Sequence, residues 1–137
     1  MSRAHLLEEL RHHTYVMLRP SPVEGVGVFA VRDIPRGCRD MFGPPDPEGT
    51  WVELARAEVD ALPAHARHLV ETYCLFDEAR YWVPARGFKL MDLACYLNHG
   101  DAPNVASLGD GACFEALRDI AAGEELLIDY GTIVHAP

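Results

Sequence analysis

The sequence predicts a mostly β domain with short helices, and three observations predict it. Short runs rich in β-branched and aromatic residues recur along the chain, separated by Gly, Pro and Asp. Two pairs of such runs flank compact turn signals, Asp77-Glu78-Ala79 and Gly109-Asp110-Gly111. Helical spacing of apolar residues is confined to the N-terminus and to one stretch near the middle of the chain.

With 137 residues, the chain has the length of one domain. Hydrophobic residues make up 49% of it, enough to build a core. The formal net charge of −9 argues against nucleic acid as a direct partner, because phosphate binding needs a basic surface. It favours basic partners such as lysine-rich protein segments. Cys38, Cys74, Cys95 and Cys113 form no C-x-x-C pair, so no metal centre is expected, and they read as small buried hydrophobes. No signal-peptide pattern and no apolar run long enough for a bilayer stand out. No membrane association is expected, and cytoplasm is the expected location, where thiols stay reduced.

Residues 1–13 read as an N-terminal helix, with Ser2 as N-cap and Leu6, Leu7 and Leu10 at helical spacing. His12 and His13 read as solvated helix-end residues. Tyr15-Val16-Met17-Leu18 is a strand, ended by Pro20 and Pro22. Gly25 and Gly27 then open a hairpin strand that runs to Val31. A dinucleotide loop would need a third glycine and a following helix, and neither is present. Residues 38–42 read as a short strand and 43–49 as a rigid loop. Thr50 is expected to cap a helix over 51–62, and Pro63 to open a second one over 64–73. His65 and His68 on that helix read as surface residues. Strands follow at 73–76 and 80–83, a helical turn ends near Leu97, and a hairpin pairs 105–108 with 112–117. The last strand covers 124–129. The helical stretch at about 50–73 is thus an insert between two groups of strands in a domain over 14–131, followed by a short tail over 132–137.

Two stretches carry the chemistry. One is Tyr96-Leu97-Asn98-His99-Gly100-Asp101-Ala102-Pro103-Asn104, dense in polar groups that an Asx-type turn alone could also explain. The other is Gly123-Glu124-Glu125-Leu126-Leu127-Ile128-Asp129-Tyr130-Gly131. Together with Gly25-x-Gly27-x-x-Ala30 and Asp33-Ile34-Pro35-x-Gly37, they resemble the signature of SET-domain protein lysine methyltransferases, over about residues 15–131. Three departures stand out. Gly100 replaces the usual serine, Cys95 replaces an arginine, and Met41-Phe42-Gly43 replaces a Tyr-x-Gly motif.

The resemblance implies a fold of small sheets with a C-terminal pseudoknot, in which the last strand threads beneath the Asn98 loop and brings Tyr130 to it. It implies an S-adenosylmethionine-dependent enzyme that acts on lysine side chains of a protein substrate. Gly25, Val26, Gly27, Val28, Tyr96, Asn98 and His99 would contact the cofactor. Tyr130 would be the catalytic residue, its hydroxyl orienting the methyl group and the lysine nitrogen. Ile128 and Tyr81 would line the substrate channel. If residues 126–130 are extended, Ile128 shares a face with Tyr130, and its lack of a hydroxyl would admit di- and trimethylated lysine. The alternative is a catalytically inactive module that binds cofactor or a basic protein segment. Because only six residues follow Gly131, the channel would stay open, be covered by the N-terminal helix, or be closed by a partner chain. A homodimer is the symmetric solution.

Overall fold

A computed structural model describes residues 2–43, 51–109 and 113–132. Helix α1 (Arg3–His12) starts where Ser2 Oγ accepts from the His5 N–H at 3.1 Å. Its leucines do not reach a core: Leu6, Leu7 and Leu10 face solvent, and no residue of α1 is buried. The ring of His13 at the helix end is not simply solvated, because its Nδ1 pairs with the Asp40 carboxylate. That partner raises the imidazole pKa above its ordinary value, the hydrogen bond being the main cause.

Strands β1 (Val16–Pro20) and β2 (Val26–Ala30) form an antiparallel hairpin, with Val16 opposite Ala30. Residues 38–42, expected as a strand, form none. Met41 enters the core instead, and Phe42 meets Phe114 edge-on with ring centroids 5.3 Å apart. The helix expected over 51–62 is also corrected. Trp51–Ala55 is strand β3, and only Arg56–Asp60 is helical, as α2. Helix α3 (Ala64–Tyr73) begins directly after Pro63, as expected. His65 and His68 lie exposed on it. Strands β4 (Leu75–Phe76) and β5 (Arg80–Pro84) complete the insert, with β5 central between β3 and β4. Five cross-strand pairs to β5 hold β3 extended, outweighing its local helical reading. Thr50, the loop over 44–49 and the turn at 110–111 lie outside the described residues.

A 3-10 turn over Leu93–Tyr96 precedes β6 (Asn98–His99). Strands β7 (Val105–Leu108) and β8 (Cys113–Ala116) form a hairpin, and β9 (Glu125–Ile128) closes the main sheet. β9 pairs antiparallel with β2 and parallel with both β6 and β7.

Backbone parity along β9 shows how these strands are threaded. In a strand, the N–H and C=O of alternate residues point to the same edge. Leu126 pairs with Val28 of β2, and the Ile128 carbonyl accepts from the Gly100 N–H at 3.1 Å, so β2 and β6 share one edge. The Leu127 carbonyl accepts from the Asn104 N–H at 3.1 Å, so β7 approaches the other. Residues 98–104 leave one edge of β9 and return on the opposite one. The last strand therefore passes under this segment, as the pseudoknot requires.

The main core lies around this crossing. Val28, Ala30, Ile34, Ala116, Leu126 and Ile128 are each 0% exposed. Burying a Val, Leu or Ile side chain contributes about 1.5–3 kcal/mol, so Val28, Ile34, Leu126 and Ile128 anchor the crossing. A second core of Val59, Val70, Cys74 and Tyr81 sits in the insert. Among the described residues no helix is long and apolar enough to cross a membrane, and no cluster of three or more His, Cys, Asp or Glu could hold a metal ion.

Candidate active site

The two chemistry-bearing stretches meet because β9 runs under the 98–104 segment. Tyr130 begins a 3-10 turn immediately beyond β9. Its hydroxyl donates to the Leu97 carbonyl at 2.8 Å, and its N–H donates to His99 Nδ1 at 3.2 Å. Since Nδ1 accepts, it carries no proton, and in the neutral imidazole the proton sits on Nε2. That nitrogen lies 3.6 Å from Asp101 Oδ1, while Nδ1 lies 3.9 Å from Asp129 Oδ1. The rings of His99 and Tyr130 are 5.3 Å apart and inclined by 55°. Burial, and secondarily the negative charge of Glu24, push the phenol pKa above its ordinary value. Glu24 precedes Gly25, so the Gly25 loop lies within electrostatic reach of Tyr130.

The Gly25 loop is tied down from the other side. Gly25 takes a positive φ of 44°, which favours glycine, and its carbonyl accepts from the Ser21 N–H at 2.9 Å. The Asn98 amide is buried, and its Nδ2 lies 3.1 Å from the Glu24 carbonyl and 3.2 Å from that of Val26. It also reaches Glu125 Oε2 at 2.8 Å and Ser21 Oγ at 3.1 Å. The Ser21 hydroxyl stands 2.8 Å from both oxygens of Glu125.

Gly25, Val26, Gly27, Asn98, His99 and Tyr130 thus form one region. The other expected site residues are placed differently. Val28 is fully buried between β1 and β9 and is core. Tyr96 packs against the core and directs its hydroxyl to Met91 Sδ at 3.8 Å. Tyr81 is buried in the insert core, under the guanidinium of Arg56. Ile128 is 0% exposed and packs in the main core. The expected shared face with Tyr130 fails because β9 ends at Ile128 and the chain turns before Tyr130.

A cavity of about 410 Å³ opens beside Tyr130. Its lining includes Cys95, Leu97 and Phe114 and, from the insert, Trp51, Glu71, Thr72, Tyr73 and Phe76, without Ile128 or Tyr81. Cys95, at the position of the missing arginine, is a wall of this cavity. Burial pushes its thiol pKa up to about 12, and that of neighbouring Cys74 to about 11.

Ser21, Leu97 and Glu125 carry roles that sequence reasoning missed. A partial signal existed for Glu125, a carboxylate in a strand whose alternate residues Leu126 and Ile128 are core. Ser21 gives no such signal, since 104 residues separate it from Glu125.

Comparison with known proteins supplies the remaining observations. The family described as SET domain matches residues 25–131. No curated protein matches the chain. Among solved structures, the chain is similar to a Plasmodium falciparum protein assigned as a histone methyltransferase, with 21% identity and a TM-score of 0.50 over 86% of this chain and 94% of that one. This likeness concerns the fold. It is also similar to a chain of an apo ctPRC2 complex mutated in Ezh2, with 27% identity and a TM-score of 0.58 over 89% of its own length. A third similarity is to a humanized mutant of the Chaetomium thermophilum Polycomb Repressive Complex 2, with 25% identity and a TM-score of 0.56 over 86% of this chain. The chain spans only 16% and 15% of those two larger chains.

Proposed function

The chain belongs to the SET-domain family, and from that premise we propose that it transfers methyl groups from S-adenosylmethionine to lysine side chains of a protein substrate. The observation that carries this reading is the placement of Tyr130. Its hydroxyl is fixed on the Leu97 carbonyl, and the residue lines the cavity beside His99.

The residues present fit a sulfonium cofactor. Glu24, Asp101 and Asp129 lie around His99 and Tyr130, and a cationic ligand is attracted to such carboxylates. The backbone at 25–27, with Asn98 and His99, would hold the cofactor. When bound, it would supply an electrophilic methyl group. The chain's own residues do the rest. The aromatic side chains of Trp51, Tyr73 and Phe76 would pack the aliphatic stem of a lysine. Tyr130, its proton engaged by Leu97, keeps its oxygen lone pairs available to an amine N–H. Its raised pKa makes it an orienting group at neutral pH rather than a base. Positioning of this kind can supply most of the acceleration.

The test is incubation with S-adenosylmethionine and a panel of basic proteins, read by mass spectrometry for methyl-lysine. Methylated lysine with the wild type and none with Tyr130→Phe is the expected result. Cofactor binding without transfer to any substrate favours the inactive module instead. Self-association belongs to this proposal as well. The solvent-facing leucines of α1 offer a second copy an apolar surface, and sedimentation at micromolar concentration measures it.

A further inference from the structure

The Gly25 loop and Asn98 do not hold one another unaided. The Asn98 amide has two N–H bonds and four acceptors within reach, the carbonyls of Glu24 and Val26, Ser21 Oγ and Glu125 Oε2. The shortest of these contacts, at 2.8 Å, is to the carboxylate, and hydrogen bonds to an ionised acceptor are the stronger kind. The amide nitrogen is therefore turned inward by Glu125, and its oxygen away from these acceptors. Glu125 also engages Ser21, whose Oγ accepts from the Val23 N–H at 3.0 Å at the start of the same loop. The backbone is shaped around the carboxylate. A Cβ at Gly27 would clash with Glu125 Oε2 and lie 3.0 Å from Asn98 Nδ2. Glycine at position 27 thus makes room for the Glu125 carboxylate.

We propose that Glu125 is a positioning residue, whose carboxylate orients the Asn98 amide and, through it and Ser21, holds the backbone of residues 21–26 in the shape that receives the cofactor. This rests on the methyltransferase reading for its ligand, but not for its geometry. Glu125 acts through Asn98 and does not touch the reacting atoms. Removing it loosens the loop and weakens cofactor binding, while leaving the step at Tyr130 intact once the site is saturated.

Two measurements test this on the full chain. The first needs no ligand: hydrogen exchange of the backbone amides at 21–27 and the NMR signals of the Asn98 side-chain amide. Glu125→Ala is expected to speed exchange in this loop and shift the Asn98 signals, and Glu125→Gln, which keeps an acceptor, to do so less. The second is steady-state kinetics with S-adenosylmethionine. Loss of one charge-assisted hydrogen bond corresponds to about a tenfold or greater rise in its KM for Glu125→Ala, with kcat within about twofold and partial recovery in Glu125→Gln. Unchanged loop exchange and Asn98 signals in Glu125→Ala overturn the proposal, as does a fall in kcat at unchanged KM. Should Glu125→Ala fail to fold, Ser21→Ala must still speed loop exchange, and its failure to do so overturns the proposal equally. If the wild type binds no S-adenosylmethionine, the methyltransferase reading falls, and the ligand-free measurement still decides the role of Glu125.

Discussion

Asn104 meets Leu127 twice: its N–H donates to the Leu127 carbonyl at 3.1 Å, and its side-chain Oδ1 accepts from the Leu127 N–H at 2.8 Å. Its Nδ2 donates to the Glu125 carbonyl at 2.9 Å. One buried side chain therefore pairs with β9 as a neighbouring strand would, at the point where the 98–104 segment has crossed it.

Asn104→Ala removes both side-chain bonds from the part-buried Leu127 N–H and Glu125 C=O. A loss of about 2–4 kcal/mol is expected, since each orphaned group costs roughly 1–3 kcal/mol. Urea unfolding of the variant against wild type measures it. A loss below about 1 kcal/mol would show that water reaches the crossing and replaces the amide.

Gly100, in place of the serine that the family resemblance implies, lies over Leu127. A Cβ there would stand 2.9 Å from Leu127 Cδ1 and 3.0 Å from its Cβ. Restoring the common residue with Gly100→Ser is thus expected to destabilise by about 1–3 kcal/mol, the range for overpacking. Adding Leu127→Ala to Gly100→Ser should recover part of this, because Cδ1 is gone while Cβ remains. Thermal melts of the single and double variants decide the point.

Tyr130→Phe removes the hydroxyl from Leu97 and keeps the ring beside His99. Turnover should fall by about 100-fold or more, the usual scale for losing a preorganised polar group, while cofactor affinity changes little. Calorimetry for binding and mass spectrometry for product separate the two effects. A loss of binding equal to the loss of turnover would assign Tyr130 to the cofactor pocket alone.

Cys74 and Cys95 are pushed up to about 11 and about 12, both by burial. An unfolded thiol ionises near pH ~8.5, so above that value unfolding releases protons that the folded chain retains. The folded-state pKa is the higher one. The stability contribution is therefore complete below about pH 8.5 and is lost as pH rises towards 11 and 12. Denaturant midpoints measured from pH 7 to 10.5 should fall at the alkaline end, and less steeply in Cys95→Ala.

Much of the fold was legible in the sequence because its signals are local. Alternation and turn chemistry mark β1, β2, β5 and β7, the Ser2 cap and Pro63 mark two helix starts, and the polar 96–104 stretch and Tyr130 announce a site. What depends on partners distant in the chain was not legible. Trp51–Ala55 reads as a helix until β5 pairs with it. Ile128 reads as a neighbour of Tyr130 until the turn after β9 sends one side chain into the core and the other to the cavity. The bonds from Ser21 to Glu125 and from Asn104 to Leu127 span 104 and 23 residues and exist only because β9 passes under the 98–104 segment. Local composition determined which segments are strands, helices and turns. The choice of which polar groups end up buried together fell to the crossing, since a buried donor must find its acceptor in space and not in sequence.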